Sequence, residues 1–343
     1  MLAARYHGEG DLRLEEVPEP AVDADEVLVD VEAASLCGSD VNYLKGKTDP
    51  GNAPITLGHE GAGVVRATGD GVDSVSEGDR VVVHYIRSCG TCSPCIRGDD
   101  NQCRNRQSIG HHVDGTFAEA IAVPERSCIA LPEGVPFAQG SVAGCAASTG
   151  YHAVSHAEVG PGDSAVVFGA GGVGLHAILW ADFFGASDVL AVDINDEQLE
   201  VASRFGADVT ANPTSGDVLD VVADVTDGWG ADAAIECSGS PAAIQQALDA
   251  VNGENGYESG RVVSVGIQTE AFEVEFGDVR EGKLTVSGDH TRADLEEILT
   301  VLSSGDVDLG PSITHRYALE DIEDAVAAFN DPDEQLIRAA IEP

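Results

Sequence analysis

The sequence predicts an α/β protein with two domains, one rich in short antiparallel strands and one built on a doubly wound parallel sheet. The chain has 343 residues, which is long for one compact core and suits two. Residues 1–147 contain short β-rich segments punctuated by Gly and Pro, a pattern typical of an antiparallel, barrel-like domain. Residues 148–288 alternate apolar strands with helical segments, which indicates a parallel sheet.

The individual segments follow from their residue patterns. In the first region the predicted strands are EVLVDVEAAS, EGAGVVRATG, DRVVVHY and FAEAIAVP. In the second region the apolar strands are SAVVF, DVLAVD, DAAIECSG, RVVSVG and KLTVSG, and DEQLEVASRFGA is predicted to be a helix. Residues 289–343 begin with the acidic helical segment RADLEEILTVLSSG and end in LIRAAIEP.

The charge of the chain restricts its partners and its environment. There are 60 acidic and 18 basic residues, a formal net charge of −42, and the carboxylates are spread over well-patterned segments. Such a chain repels itself unless salt screens the charge, and the Debye length shortens to about 3 Å at 1 M salt. We therefore expect a halophilic protein with neither nucleic acid nor an anionic membrane as its partner.

Neither a membrane span nor a secretion signal is visible in the sequence. No apolar run approaches the roughly 20 residues that a transmembrane helix needs. The opening segment MLAARYHGEGDLRLEEVP has no apolar stretch followed by a cleavage site. We therefore expect a cytoplasmic protein.

A glycine-rich turn predicts a dinucleotide site. The segment GAGGVG places Gly169, Gly171 and Gly174 in G-x-G-x-x-G spacing after an apolar strand and at the start of a helix. These glycines suit a tight turn, close approach of a pyrophosphate and close packing of helix on sheet. Asp193 ends the next strand, where a carboxylate binds ribose hydroxyls and repels a 2′-phosphate, which favours NAD over NADP. The alternative for Asp193 is a helix-capping or surface acid. The predicted cofactor residues of this region are Gly169, Gly171, Gly172, Val173, Gly174 and Asp193.

Four cysteines close together predict a structural zinc lobe at residues 87–106. Cys89, Cys92, Cys95 and Cys103 have the spacing C-x2-C-x2-C-x7-C, which suits four thiolates around tetrahedral zinc. The last spacing disfavours an iron–sulfur cluster, and the crowding disfavours disulfides. Four protein ligands leave no open position, so this zinc is expected to be structural.

Several motifs together resemble the zinc-containing medium-chain alcohol dehydrogenases. They are CGSD, GHEGAGVVRATGDGV, the four-cysteine lobe, GCAASTGYHAV, the glycine turn, and the ending PSITHRYALEDIEDAVAAFN with LIR. The resemblance covers essentially the whole chain. It implies a GroES-like catalytic domain formed by residues 1–147 and 289–343, with a Rossmann NAD-binding domain at 148–288 inserted between them.

The resemblance also implies a second, catalytic zinc. Its ligands would be Cys37, His59 and Cys145, and Cys-His-Cys with an open fourth position is a catalytic set. Taken singly, His59 could be a core histidine and Cys145 a small buried residue, as we expect for Cys128 and Cys237. The polyol and threonine dehydrogenase branches usually have Glu as the third ligand, so Cys145 favours the alcohol dehydrogenase branch.

The resemblance assigns roles to further residues around this zinc. Asp40 would hydrogen-bond to His59 and fix its tautomer, and Glu60 would lie behind the metal and approach it transiently. Arg338 would contact the cofactor pyrophosphate. Tyr85 falls where an aromatic side chain lines the substrate pocket, although an aromatic in a β-rich segment is more often a core residue. Ser39 would accept the proton of the alcohol and pass it to the nicotinamide ribose.

Asn42 departs from the family pattern. Many relatives have a histidine at this position, which passes the proton to solvent. Asn does not titrate near neutral pH and cannot act as a general base. One hypothesis is that the relay ends at the ribose and water, so that activity rises at alkaline pH. The alternative is that Asn42 caps a turn and that another group or water accepts the proton.

The sequence thus predicts a zinc- and NAD-dependent alcohol dehydrogenase that oxidises an alcohol to an aldehyde or ketone. The nearest alternative is the same chemistry on a polyol, sugar or threonine, and a noncatalytic NAD-binding protein is disfavoured by the intact ligand set. The expected partner is a small-molecule alcohol or carbonyl compound. By resemblance we also expect a homo-oligomer, a tetramer or a dimer.

Overall fold

The computed structural model describes residues 1–251, 260–267, 270–279 and 283–343. The chain divides into two compact units. The first consists of Met1–Ser148 and His290–Pro343, and the second of Thr149–Asp289. Among the described residues, every helix is too short or too polar to cross a membrane.

The first unit is mainly antiparallel sheet. Its strands are β1 Leu2–Gly8, β2 Asp11–Glu16, β3 Glu26–Ser35, β4 Ile55–Thr56, β5 Gly61–Thr68, β6 Arg80–Val83, β7 Ile86–Arg87, β8 Gln107–Ser108, β9 Ala120–Pro124, β10 Cys128–Ala130, β17 Ile313–Ala318 and β18 Arg338–Glu342. In the largest sheet the described strands run in the order β10-β6-β5-β3-β18-β17, and β9 also pairs with β3. The apolar side chains of β3, β5, β6 and β9 form the core of this unit.

The long strand β3 organises the first unit because it pairs along most of its length. It is antiparallel to β5, β9 and the carboxyl-terminal strand β18, whose Ala340 lies opposite Ser35. The helices of this unit are α1 Gly38–Leu44, α2 Ser93–Arg97, α3 Phe137–Val142, α9 Arg292–Ser304 and α10 Ile322–Asn330. A π-helical turn, Ala143–Ala147, continues α3 and is followed by α4, Ser148–His156.

The second unit is a parallel sheet with helices between its strands. The strands are β11 Ser164–Phe168, β12 Asp188–Val192, β13 Val209–Ala211, β14 Ala233–Glu236, β15 Arg261–Ser264 and β16 Leu284–Val286. The helices are α5 Gly172–Phe183, α6 Asp196–Arg204, α7 Val218–Val225 and α8 Pro241–Ala250. The described strands lie in the order β13-β12-β11-β14-β15-β16, all parallel. The order reverses at β11, where doubly wound sheets bind ligands at the carboxyl ends of their strands.

The predicted fold class is confirmed. EVLVDVEAAS is strand β3, SAVVF is β11, and helix α9 occupies the segment RADLEEILTVLSS. The remaining predicted strands are present with shorter bounds: FAEAIAVP begins three residues later than predicted, at Ala120, and the others end one to three residues earlier, as in DVLAVD, of which Asp188–Val192 is strand.

Candidate metal centres and cofactor-binding turn

The four cysteines of the predicted lobe converge between β7 and β8. Cys92 precedes α2, Cys95 lies within this helix, and Gly98 (φ +96°) reverses the chain at its end, a conformation that Gly adopts at little cost. The sulfur of Cys92 lies 3.4 Å from that of Cys95 and 3.9 Å from that of Cys103. The ligand atoms of all four cysteines lie within 4.8 Å of one another.

The surroundings of these thiols fit a bound zinc ion. Tetrahedral zinc with bonds of about 2.3 Å to sulfur needs sulfur atoms about 3.8 Å apart, whereas a disulfide needs about 2.05 Å. Backbone N–H groups of Cys89 and Asn105 point at the sulfur of Cys103, at 3.2 and 3.4 Å. Backbone hydrogen bonds from Thr91 and Cys92 lower the pKa of the Cys89 thiol to about 5. The pKa of Cys92 is also lowered, whereas burial and the neighbouring cysteines raise that of Cys95 to about 12, so a bound metal would displace the proton of Cys95.

A second group of metal-binding side chains is assembled from distant parts of the first unit. Cys37 follows β3 and is the N-cap of α1, and His59 and Glu60 immediately precede β5. Cys145 lies in the π-helical turn Ala143–Ala147, a distortion frequently found at functional sites. The ligand atoms of Cys37, His59, Glu60 and Cys145 lie within 4.8 Å of one another.

Asp40 holds two members of this group in place. Its Oδ1 lies 3.4 Å from Nδ1 of His59, and its Oδ2 accepts a hydrogen bond from the backbone N–H of Cys37. The N–H of Gly58 also donates to Asp40, which is fully buried. Because Asp40 faces Nδ1, the other ring nitrogen of His59 is left for a metal. The hydroxyl oxygen of Ser39 lies 3.5 Å from that nitrogen, Nε2.

The two cysteines of this second group share one proton. A hydrogen bond from Cys145 lowers the pKa of the Cys37 thiol, and the same bond together with burial raises the pKa of Cys145. Burial opposes the charged form of His59, but the carboxylate of Asp40 and the thiolate of Cys37 outweigh it and raise the pKa of His59. The thiolate form is therefore favoured at Cys37 alone, and a bound metal ion would displace the protons of Cys145 and His59.

Glu60, the carboxylate of the second group, forms a buried ion pair with Arg338. Oε1 of Glu60 lies 3.5 Å from Nη1 of Arg338, which also donates to the backbone carbonyl of Leu36. Neither carboxylate oxygen of Glu60 has a hydrogen-bond partner among the described residues. Burial raises the pKa of Glu60 to about 8, although Arg338 opposes this. The contact of Arg338 with a cofactor pyrophosphate stays a prediction.

The other residues singled out from the sequence lie around the second group or on its helix. Tyr85 is buried, and its ring packs edge-on against His59 with centroids 5.4 Å apart. Asn42 is half-buried on α1, and its backbone carbonyl accepts a hydrogen bond from the N–H of Lys47. Cys128 is buried in β10, where burial raises its pKa to about 12, as expected for a thiol that binds no metal.

The glycine turn of the second unit has the geometry that its spacing predicts. Gly169 follows β11 with φ +90°, and Gly171 is the N-cap of α5. A Cβ at Gly174 would lie 1.8 Å from the carbonyl oxygen of Gly169, so no larger residue fits there. A Cβ at Gly171 would meet no atom within 4 Å, which leaves room for a ligand beside the helix N-terminus. Gly172 and Val173 form the first turn of α5.

Two carboxylates secure this end of the sheet. Asp193, after β12, accepts hydrogen bonds from the N–H groups of Ala170 and Asn195 at 2.8 and 2.9 Å. Glu236, at the end of β14, is fully buried and accepts from the N–H and hydroxyl groups of Ser238 and from Gly239 N–H. Glu236 is not among the site residues predicted from the sequence, although an acidic residue at the end of an apolar strand is a signal for such a role. Asp193 therefore holds the glycine turn itself, in addition to any contact with a ribose.

Known proteins resemble this chain along most of its length. Residues 23–133 match the family model of the alcohol dehydrogenase GroES-like domain, and residues 172–304 match that of the zinc-binding dehydrogenases. A sorbitol dehydrogenase of Halalkalibacterium halodurans is 32% identical over 333 residues, which are 96% of this chain and 95% of that protein.

Solved structures resemble the whole chain. Alcohol dehydrogenase TADH from Thermus sp. ATN1 superposes with a TM-score of 0.91 at 29% identity, covering 100% of this chain and 99% of that one. A structure from Sinorhizobium meliloti 1021, described as a zinc-binding dehydrogenase and bound to NADP, has a TM-score of 0.89 at 28% identity with the same coverage. With two family models matched in order and a relative similar along its full length, this chain belongs to the zinc-dependent medium-chain dehydrogenase family.

Proposed function

We propose that this protein is an NAD-dependent alcohol dehydrogenase that oxidises a simple alcohol to an aldehyde or ketone. The observation that carries the proposal is the group of Cys37, His59 and Cys145, whose ligand atoms lie within 4.8 Å of one another. Three protein ligands of this kind leave a fourth position for substrate, which is the composition of a catalytic zinc site. We place a second zinc in the four-cysteine lobe, where a complete set of thiolates makes it structural.

The residues around the second group have distinct parts in the proposed reaction. Zinc would supply Lewis-acid polarisation of the substrate oxygen, and the nicotinamide would supply the hydride acceptor. Asp40 orients the ring of His59 through Nδ1 and so fixes the direction of Nε2. The Ser39 hydroxyl, 3.5 Å from Nε2 of His59, is placed to accept the proton of the alcohol.

The identity of the third ligand supports a simple alcohol as substrate. Cys145 occupies the position at which the polyol and threonine branches of the family usually have Glu. A polyol is the second candidate, and the similarity to a sorbitol dehydrogenase favours it. The two candidates share one mechanism and differ in the polar groups that would surround the substrate.

Asp193 supports NAD as the cofactor. Its carboxylate ends β12 beside the glycine turn and is partly exposed. A negative charge at this position repels a 2′-phosphate and accepts hydrogen bonds from the ribose hydroxyls. NADP is the alternative, and the NADP-bound relative from Sinorhizobium meliloti favours it. Salt adaptation and a homo-oligomeric state stay predictions.

The test is NAD(P)H formation by the purified protein across primary alcohols, secondary alcohols, polyols and threonine in about 1 M KCl. Zinc content is measured on the same sample. We expect two zinc ions per chain and turnover of simple alcohols with a preference for NAD. Turnover of polyols or threonine alone would contradict the assignment of substrate, and a preference for NADP would contradict the role of Asp193. A protein with two zinc ions that turns over none of these compounds would contradict the proposed activity.

A further inference from the structure

Tyr43 and His111 form a short hydrogen bond near the second metal group. The hydroxyl oxygen of Tyr43 lies 2.6 Å from Nδ1 of His111, and the two rings are nearly parallel, at 16° with centroids 5.5 Å apart. Tyr43 is 9% exposed, whereas His111 is only half-buried. The pair therefore connects a buried hydroxyl to a side chain that reaches solvent.

The pair begins on the helix that carries the proposed proton acceptor. Ser39 and Tyr43 both lie on α1, and residues four apart on a helix share one face. Ser39 is the residue whose hydroxyl lies 3.5 Å from Nε2 of His59. His111 follows β8 in a turn closed by its own N–H, which donates to the carbonyl of Ser108 at 3.2 Å. Ser39 thus lies beside His59, Tyr43 lies one helical turn further along α1, and His111 is in hydrogen-bond contact with Tyr43.

We propose that Tyr43 and His111 carry the proton released by alcohol oxidation from the Ser39 side of the metal group to solvent. This proposal rests on the proposed function. Oxidation sends a hydride from the alcohol carbon to the nicotinamide and leaves one proton from the hydroxyl group. Tyr43 accepts that proton on its oxygen as its own proton passes to Nδ1 of His111. His111 then releases the proton on Nε2 to water, and both side chains return to their neutral forms.

The charges around the pair favour this direction of transfer. Burial and the negative charges of Asp40 and Cys37 raise the pKa of Tyr43, so that it stays neutral and passes a proton without ionising.

Burial lowers the pKa of His111. Positive charge at His112, Arg106 and His59 lowers it further, and the negative charge of Asp49 opposes this shift. His111 is therefore neutral at neutral pH, and its Nδ1 is able to accept a proton. The pair thus supplies the titratable group that Asn42 lacks.

The test compares the pH dependence of alcohol oxidation in His111→Gln and Tyr43→Phe with the wild type. Positioned general bases contribute about 10²- to 10⁴-fold, so we expect each variant to lose at least about tenfold in kcat at neutral pH. At alkaline pH hydroxide replaces the pair, and the loss should shrink to about twofold or less. His315→Gln, which changes another half-buried histidine of the same unit, should leave the profile unchanged.

A rescue experiment separates proton transfer from a structural role. Adding Asn42→His to His111→Gln should restore neutral-pH activity, because many relatives have at this position a histidine that passes the proton to solvent. In wild-type protein, Asn42→His should change the profile little. A loss that is equal at all pH values and is not rescued would show that the pair only anchors α1 to the turn, and would overturn the proposal.

A measurement without turnover checks the hydrogen bond itself. In ¹⁵N-detected imidazole spectra, Nδ1 of His111 should appear as a hydrogen-bond acceptor, with a pKa below the usual value of about 6.5. In Tyr43→Phe the ¹⁵N resonance of His111 Nδ1 should no longer show an accepted hydrogen bond. A His111 pKa at or above the usual value would overturn the proposal. A wild type that oxidises no alcohol would overturn the proposed function. In active variants, a loss of kcat that does not depend on pH would overturn only the proton transfer through Tyr43 and His111.

Discussion

The two groups of metal-binding side chains use similar ligands but are built differently. The four cysteines of the lobe lie within fifteen positions, 89–103, so a few turns of local chain bring them together. The second group draws Cys37, His59 and Cys145 from segments up to 108 positions apart, and only the folded sheet of the first unit assembles them. The first group therefore depends on its loop, and the second on the whole unit.

Their surroundings differ as much as their assembly. The thiols of the lobe receive backbone N–H groups, such as that of Asn105, and two of the four are half-exposed. Three fully or almost fully buried charged side chains, Asp40, Glu60 and Arg338, surround the second group. Backbone dipoles stabilise a fixed negative charge, whereas paired charges and a hydrogen-bonded histidine accommodate a charge that changes during a reaction. The four-cysteine lobe is therefore suited to holding a metal, and the second group to using one.

The largest expected effect comes from removing a ligand of the second group. His59→Ala should lower kcat/KM by about 10³-fold or more, because a Lewis acid supplies several kcal/mol of transition-state stabilisation. Zinc content should fall from two ions per chain to one, and the melting temperature should change less than in a lobe variant. His7→Ala serves as the matched control, since this half-buried histidine pairs with Glu15 in another sheet. Full activity in His59→Ala would show that the second group is not the catalytic centre.

The second largest expected effect is a fall in melting temperature when the four-cysteine lobe loses its zinc. Cys103→Ser removes the cysteine whose sulfur receives two backbone N–H groups, and it should release the zinc of the lobe. Structural zinc contributes directly to folding, so we expect the melting temperature to fall by on the order of 10 °C, with the second zinc retained. Cys128→Ser is the control, because that buried thiol lies outside both groups. Loss of both zinc ions in Cys103→Ser would contradict the independence of the two groups.

Some of these features are predictable from the sequence because local patterns encode them, and others are not because they depend on distant segments. The strands β3 and β11, the turn at Gly169 and the four-cysteine lobe are encoded by short patterns, so the sequence alone predicted them. The second metal group required the family resemblance, since nothing local connects Cys37 with Cys145.

Three further features depend on packing between distant segments. They are the π-helical turn at Ala143–Ala147, the ion pair of Glu60 with Arg338, and the hydrogen bond between Tyr43 and His111 across 68 positions. No spacing in the sequence predicts such contacts, because each partner is chosen by the tertiary fold.

The smallest effect tests whether the buried charges behind the second group act as a pair. Arg338→Met removes the cation that opposes protonation of Glu60, so Glu60 should take up a proton and the free energy of unfolding should fall by about 1–3 kcal/mol. The double variant Glu60→Gln with Arg338→Met removes both charges and should be more stable than Arg338→Met alone. Denaturant unfolding at one pH measures the wild type, Glu60→Gln, Arg338→Met and the double variant, which form a double-mutant cycle, and Arg338→Lys, which keeps the charge, is the control.

If the losses in free energy of unfolding of the two single variants add up to that of the double variant, the two side chains do not interact despite their 3.5 Å separation. Coupled costs would mean that Arg338 holds the side chain of Glu60 in place independently of any metal. The two groups would then differ before any metal binds. The second group contains a buried pair of charged side chains, whereas the described contacts of the four-cysteine lobe are backbone N–H groups on sulfur.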